Sequence, residues 1–452
     1  MTTTIDTTPV AGVADGRGAS PARDRRVHRC RDHWGAVVAL VVGAALRFGW
    51  LAYARPQPVS DFRHYLHLAY GLVDTGTFGV GHPSAWRLPA YPVVLAAGAA
   101  VDRDPLVLSG LTVVLSIAQI GLTYWVAWRI FESRSAATAA ALTAAVAPAF
   151  VTFAPVLASE HLLAVLLLAA VGTALGCHTG RWLTAAVVGG LAGAAVLTRG
   201  EALAYLPVAA AVVALERRVG GCGLRRSLAG AGITVAVAAA VVVPWVVRNE
   251  HVVGTGAGLT TTGGFNFHLA HSPGAYGWRT PLPLPLRVTD EVTRNELGWR
   301  YGLQYARRHP EHWWPTVRTG TRELLAPSAY AARYATVHRD PDDGRVLARH
   351  DLGLRAAAID LAARSSRWLL WAGAAGLAVA GMAVARSTSG VWRTTGLIAV
   401  GGIALANWVL YAVVFWAQAR YRFVVDAFAC VAVGAVPAAL TNARSRLPSL
   451  RG

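Results

Sequence analysis

The chain has 452 residues, of which 54% are hydrophobic and only 15% charged, with a mean hydropathy of +0.42 and a net charge of +18. A soluble domain carries about 25% charged residues, so this composition excludes an ordinary water-facing surface. Lysine is absent, which excludes a Walker A phosphate loop and a lysine Schiff base. The arginines fall in short clusters between apolar runs, a pattern of orientation in a bilayer, and no basic groove with interleaved aromatics points to nucleic acid. Cys30, Cys177, Cys222 and Cys430 are far apart in sequence, with no CxxC, so neither a disulfide framework nor a cysteine metal site is expected.

Residues 1–32 are polar with a basic end and read as a disordered cytoplasmic tail. The apolar run beginning at Trp34 lacks a small-residue cleavage site and reads as a retained signal-anchor. A helix needs about 20 apolar residues to cross a ~30 Å hydrocarbon layer, because lipid cannot satisfy backbone N–H and C=O groups. That ruler gives an all-α polytopic membrane protein whose transmembrane module occupies 33–440, with about ten spans. They fall at 34–53, 106–131, 136–150, 156–176, 182–197, 202–215, 229–247, 368–385, 392–416 and 423–440. Several middle spans are short and Ala/Gly-rich, which suits closely packed helices.

The loops alternate in character. Short basic segments at 132–134, 178–181, 216–227 and 386–393, with the tail 441–452, face the cytoplasm by the positive-inside rule. Both termini then lie inside the cell membrane, and the two long loops, about 54–105 and 248–367, lie on the extracytoplasmic side. In the first loop, apolar residues recur at Phe62, Tyr65/Leu66, Ala69 and Leu72/Val73, the period of an amphipathic helix with Asp61 at its N-terminal end. The stretch 93–101 is apolar but too short to span. The second loop is Gly/Thr-rich over 254–264 and turns helical over 291–325, where Trp313 and Trp314 suit an interfacial belt.

Ionisable residues beside spans are costly, so their placement is informative. Arg47, Ser159-Glu160-His161, Arg199, Glu201, Arg248, Gln418, Arg420, Arg422 and Asp426 all fall at helix ends on the side of Asp61. A transporter would instead place polar groups near the midplane, beside broken helices. Each residue also has a plain structural role open to it. Asp61 and Ser159-Glu160 can cap helices, Arg422 can pair with Asp426 four residues on, and Arg47, Arg199 and Arg248 can snorkel to headgroups. His64 and His67 with Asp61 make a poor metal set, and no metal is expected.

One acid and several arginines beside a bilayer suit transfer from a lipid phosphate. Arginines grip the phosphate, a carboxylate takes the proton of an incoming hydroxyl, and fixed guanidinium groups stabilise the charge that grows on the leaving phosphate.

At this point the chain resembles the GT-C superfamily of polyprenyl-phosphate-sugar glycosyltransferases, on the branch of protein mannosyltransferases and the lipid A aminoarabinose transferase (glycosyltransferase family 39-like). The segments that carry the resemblance are Leu46-Arg47-Phe48, Ser60-Asp61-Phe62-Arg63-His64-Tyr65 and Arg87-Leu88-Pro89-Ala90-Tyr91-Pro92. They continue with Ser159-Glu160, Thr198-Arg199-Gly200-Glu201, Pro244-Trp245-Val246-Val247-Arg248-Asn249 and Arg420-Tyr421-Arg422-Phe423. The resemblance implies that Asp61 matches the family's catalytic acid and Arg87 a basic residue on the donor phosphate. Relatives often carry a second acid directly after the first and a basic residue three positions on, where this chain has Phe62 and His64; Arg63 is the substitute, and Arg87 is offset by one from the usual Lys-Pro-Pro. The chain ends soon after its last span, so acceptor recognition is expected in the second loop, near Asn266, His268 and His271.

The expected activity is a hexosyl- or pentosyltransferase that moves a sugar, with inversion, from a polyprenyl-phosphate donor to an extracytoplasmic hydroxyl of an envelope glycan, lipid or protein. Asp61 is the expected base and Arg63, Arg87, Arg248, Arg420 and Arg422 the phosphate ligands, with His64, Glu160, Arg199 and Glu201 in support. No cofactor beyond the lipid-linked donor is expected. A flippase or transporter of lipid-linked sugars, and a non-catalytic membrane scaffold, are the alternatives.

Overall fold

The computed structural model describes residues 33–177, 181–274, 276–330, 332, 337–339, 346–348, 353–385 and 394–444. The expected tail 1–32, the loops 178–180 and 386–393 and the end of the chain from 445 lie outside the described residues; residues 441–444 complete the last helix. The compact unit considered below runs from Gly35.

In chain order the helices are α1 (Trp34–Ala54), α2 (Asp61–Thr75), α3 (Ala90–Ala99), α4 (Pro105–Phe131), α5 (Arg134–Val146), α6 (Pro148–Phe153), α7 (Glu160–Ala174), α8 (Trp182–Thr198) and α9 (Ala202–Val219). They continue with α10 (Leu224–Val252), α11 (Gly263–Ala270), α12 (Leu284–Val288), α13 (Glu291–Arg308), α14 (Trp313–Leu325), α15 (Gly353–Ala385), α16 (Thr394–Trp408), α17 (Phe423–Val433) and α18 (Ala435–Arg444). One antiparallel pair of three-residue strands, β1 (Val337–Arg339) and β2 (Val346–Ala348), is the only sheet among the described residues. The protein is an all-α polytopic membrane protein.

Among the described residues, six helical segments are long and apolar enough to cross a bilayer: Trp34–Ala54, Pro105–Phe131, Leu224–Val252, Gly353–Ala385, Thr394–Val414 and Ala419–Thr441. The other four expected spans appear as shorter helices, of 13 residues in α5, 15 in α7, 17 in α8 and 18 in α9. At 1.5 Å per residue such helices do not cross a ~30 Å layer alone. Of these α7 is the inner helix, and every side chain from Glu160 to Ala164 is buried. Small residues let them approach their neighbours. A Cβ at Gly189 or Gly193 would collide with the backbone of α10, and one at Gly376 of α15 with that of Ala432 in α17.

The expected span 136–150 is broken, and the cause is Pro148. Proline has no N–H, so the carbonyl of Ala144 loses its helical donor and α5 stops. Arg47 replaces that donor. Its guanidinium, 1% exposed, donates to Ala144 O and Ala145 O at 2.8 Å each, and its Nε to Ser116 Oγ at 2.8 Å. One side chain thereby ties α1 to α4 and to the end of α5.

The segment Thr394–Val414 also departs from a plain helix. After α16 the chain widens into a π turn, Val409–Val414, and Phe415 N donates to Leu410 O at 2.8 Å. Such turns occur mostly at functional sites. Here the turn, the junction of α8 with α9, and the N-terminal end of α2 surround one cavity.

Arg47→Leu is expected to destabilise the protein by about 3 kcal/mol, because several buried carbonyls lose a charged donor. Thermal unfolding of the purified protein in detergent checks this, with Leu46→Ala, a change at an exposed site, expected to leave the transition in place.

Candidate active site

The first loop enters through the proline pair Pro56 and Pro58 and turns at Ser60, whose φ of 53° is a left-handed value that a residue with a Cβ adopts at a cost. Asp61 follows as the first residue of α2, where a negative charge suits the helix dipole. Its carboxylate meets two guanidinium groups: Arg87 Nη2 donates to Oδ1 at 2.5 Å and Arg420 Nη2 to Oδ2 at 3.2 Å. The buried face of α2, with Phe62, Tyr65, Leu66 and Ala69, holds that carboxylate in place.

Arg87 comes from an irregular segment, and two distant residues fix it. Arg248 donates to Phe78 O at 3.0 Å and to Ser84 O at 2.8 Å. Glu291, at the start of α13, accepts from Ser84 Oγ at 2.8 Å and from Ala85 N at 2.7 Å. Ala85 O in turn accepts from Thr261 N at 3.2 Å. The turn that presents Arg87 is thus satisfied on both sides before any ligand arrives.

From Arg420 the charges continue inward. Arg420 Nε lies 3.2 Å from Glu160 Oε1, Arg199 Nη1 lies 2.9 Å from the same oxygen, and Arg199 Nε lies 3.0 Å from Glu201 Oε2. The Tyr411 hydroxyl donates to Glu201, and Ser159 Oγ sits between the Tyr65 hydroxyl at 3.1 Å and Arg199 at 3.3 Å. Asp61, Glu160 and Glu201 therefore alternate with Arg87, Arg420 and Arg199 in one row, with three charges of each sign. Exposure separates the acids: the Asp61 side chain is 25% exposed, that of Glu160 3% and that of Glu201 7%. Asp61 is the most exposed of the three acids.

Burial favours the neutral form of Asp61, but Arg87 first and then Arg420 outweigh it and hold the carboxyl below its usual range. His64, one turn further along α2, is pushed down to about 4 by burial and by Arg87, so its imidazole is neutral at physiological pH.

The cavity at this row has a volume of about 450 Å³. Its polar end is Asp61, Arg87, Arg199, Glu201 and Arg420, and its walls carry Tyr65, Trp86, Phe265, Tyr411, Trp416 and Tyr421. Arg87 stands over the Tyr65 ring at 5.5 Å and Arg420 over Tyr421 at 5.7 Å, contacts that favour the cations. Charge at one end and aromatic surface along the sides suit an amphiphile with an anionic headgroup.

The other residues singled out in the sequence divide clearly. Asn266 lines the cavity, and its Oδ1 accepts from Trp416 Nε1 at 3.0 Å. His268 is buried with neither ring nitrogen paired among the described residues, while His271 Nε2 bonds Val414 O at 2.9 Å; neither lines the cavity. Arg63 donates to His67 at 3.0 Å, and His64 lines a second cavity with His82, Trp86 and Glu291. Arg422 is 1% exposed and is spent on Asp426 at 3.0 Å, Ser366 Oγ at 2.8 Å and Leu324 O at 2.8 Å, away from the row. Glu291 and the aromatic walls went unnoticed in the sequence, since an acid after an N-cap aspartate and scattered aromatics carry no signal of their own.

No protein-family model and no curated protein sequence matches the chain. Solved structures do. The oligosaccharyltransferase AglB of Archaeoglobus fulgidus, in complex with an inhibitory peptide and a dolichol-phosphate, superposes with a TM-score of 0.51 at 14% identity over 92% of this chain and 50% of that one. The apo form of the Archaeoglobus fulgidus oligosaccharyltransferase gives 0.50 at 15% identity over 91% and 50%. The chain has a GT-C fold. It spans about half the length of the archaeal oligosaccharyltransferase. ArnT of Cupriavidus metallidurans bound to undecaprenyl phosphate is also similar, with a TM-score of 0.42 at 17% identity over 92% and 78%.

The lowered pKa of Asp61 makes its pairing contribute stability that depends on pH. Its stabilising charge is fully present above the unfolded carboxyl value of about 3.9 and is lost as pH falls through the lower folded value. The parent is therefore expected to melt above Asp61→Asn by a constant margin from pH 5 to 8, narrowing below about pH 4. Thermal unfolding across pH measures it, and an undiminished margin well below pH 3 would show that the paired carboxylate is not its source.

Proposed function

We propose that this GT-C-fold protein is a membrane glycosyltransferase that moves a sugar from a polyprenyl-phosphate donor to a hydroxyl acceptor. One observation carries the reading: a cavity-facing carboxylate, Asp61, is held between the guanidinium groups of Arg87 and Arg420. The archaeal oligosaccharyltransferase of like fold is in complex with a dolichol-phosphate, a lipid of the class this chain is proposed to take.

The donor phosphate enters the polar end and binds Arg87 and Arg420, with Arg199 and Glu160 setting the position of Arg420. Arg87 Nε, buried without an acceptor among the described residues, supplies a spare donor. The acceptor hydroxyl approaches the anomeric carbon from the face opposite the phosphate, and Asp61 removes its proton. The new C–O bond forms as the sugar–phosphate bond breaks, the configuration inverts, and polyprenyl phosphate leaves with the electron pair. Guanidinium groups fixed beforehand stabilise the charge that grows on the leaving oxygen.

The arginine-rich turn between α9 and α10 supports a cytoplasmic orientation for that end of the bundle and, with it, an extracytoplasmic opening of the cavity. The acceptor is a hydroxyl of an envelope glycan, lipid or protein, with Asn266 at the cavity wall as a contact.

Purified protein in nanodiscs, supplied with a labelled polyprenyl-phosphate sugar and an envelope extract, tests the reading. Asp61→Asn is expected to lower kcat by roughly 10²–10⁴-fold with little change in donor KM. Arg87→Ala is expected to raise donor KM and lower kcat together, since the phosphate is held in both ground and transition states. Undiminished turnover by well-folded Asp61→Asn removes the base assignment. Donor that crosses the bilayer unaltered, with no new glycoside, supports the transporter reading instead.

A further inference from the structure

Helix α13 ends at Arg308 and α14 begins at Trp313, and the corner between them is the tetrapeptide His309-Pro310-Glu311-His312. Pro310 opens a single 3₁₀ turn, Pro310–His312, and in that geometry side chains three apart eclipse one another. His309 and His312 therefore stand on one side of the corner, with ring centroids 5.7 Å apart. Glu311 joins them: its Oε1 lies 3.1 Å from His309 Nδ1 and 3.9 Å from His312 Nε2. One donor atom from each residue falls within 4.8 Å of the others, and this is the one such group of His, Cys, Asp or Glu among the described residues.

We propose that this corner is a binding site for a zinc-type divalent ion, with His309, Glu311 and His312 as ligands and water completing the shell. Two imidazoles and a carboxylate suit zinc and its d-block neighbours rather than calcium or magnesium, which prefer oxygen alone. Tetrahedral zinc with bonds near 2.0–2.1 Å needs donor atoms about 3.3 Å apart, so small side-chain rotations at an exposed site suffice. The Tyr305 ring, 4.7 Å from the His309 ring and 5.8 Å from that of His312, packs against both. Arg308, the adjacent cation, has its guanidinium within 2.9 Å of the Gln304 side-chain oxygen once that amide is turned to satisfy both groups.

The ion would fasten a corner that matters to the cavity. Helix α13 supports one wall: Glu291 holds the Arg87 turn, and Asn295 Oδ1 accepts from Gly264 N at 2.7 Å. Helix α14 supports the other: Thr321 Oγ1 accepts from Trp408 Nε1 at 3.0 Å, and Gly320 lies against Ala412 of the π turn. Zinc at the corner fixes the angle between these two supports, a structural role separate from transfer.

The full chain, freed of its affinity tag and treated with a chelator, is titrated with zinc chloride by equilibrium dialysis and elemental analysis. One equivalent is expected to bind and to raise Tm, with His309→Ala and Glu311→Gln each weakening binding at least tenfold while the metal-free Tm stays that of the parent. The proposal is overturned if the parent takes up no zinc at low micromolar concentration, or if His309→Ala/His312→Ala binds it as tightly as the parent. Binding is read without transfer activity, so this result stands apart from the fate of the glycosyltransferase reading.

Discussion

The row Arg87–Asp61–Arg420–Glu160–Arg199–Glu201 is the constraint on which the rest of the site depends. Buried charges are tolerated only when paired and hydrogen-bonded, and removing one partner leaves the other uncompensated in a medium that cannot solvate it. The six residues come from five places in the chain: the start of α2, the Arg87 turn, the start of α7, the junction of α8 with α9, and the segment before α17. None of these ends can shift without exposing a charge to an unpaired state. The row therefore holds the helix ends together as firmly as packing does, and it leaves Asp61 with the greatest exposure among its acids.

A second group of arginines does different work. Arg47 and Arg248 donate chiefly to backbone carbonyls, and Arg422 divides its donors between the carbonyls of Leu324 and Ala326 and the side chains of Asp426 and Ser366. Two of the three serve helices that stop at a proline: α5 before Pro148 and α14 shortly before Pro327. Proline withdraws a donor, and inside a membrane protein no water is at hand to replace it. A guanidinium with five N–H groups on a long stem can reach several carbonyls at once, which lysine cannot do as well. Arginine here is both the ligand of carboxylates and the substitute for missing backbone donors.

That dual use explains what was legible in the sequence. Hydropathy located six of the ten expected spans as long helices, and the alternation of basic and long loops put Asp61, Glu160, Arg199, Glu201 and Arg420 at helix ends of one side; the ion-pair row brings them together. Arg47, Arg248 and Arg422 carried the same sequence signal. Their partners lie at separations such as 97 and 98 residues for Arg47, and only folding reveals whether the nearest acceptor is a carboxylate or a carbonyl. Glu291 was invisible for the same reason, since its partners Ser84 and Ala85 sit more than 200 residues away. Helix ends were blurred where proline or a π turn intervened: 136–150 divides at Pro148, and the segment expected to run to Trp416 ends its regular helix at Trp408.

The pairing of Asp61 bears on how the proposed reaction would be timed. With Arg87 and Arg420 both on its carboxylate, Asp61 is held below its usual range and is a weak base. A donor phosphate, a singly charged phosphodiester that gains a second charge as the sugar leaves, engages the same two guanidinium groups. As it draws them off, the field that depresses Asp61 weakens and its basicity rises at the moment a sugar is in place. Binding energy from the phosphate would thereby be spent on activating the base rather than on holding the ground state, which is the use of binding energy that raises kcat. Glu160 and Glu201 make this exchange local. They keep Arg420 and Arg199 paired on their inner sides, so the phosphate shifts the outermost contact of the row while the buried part stays intact.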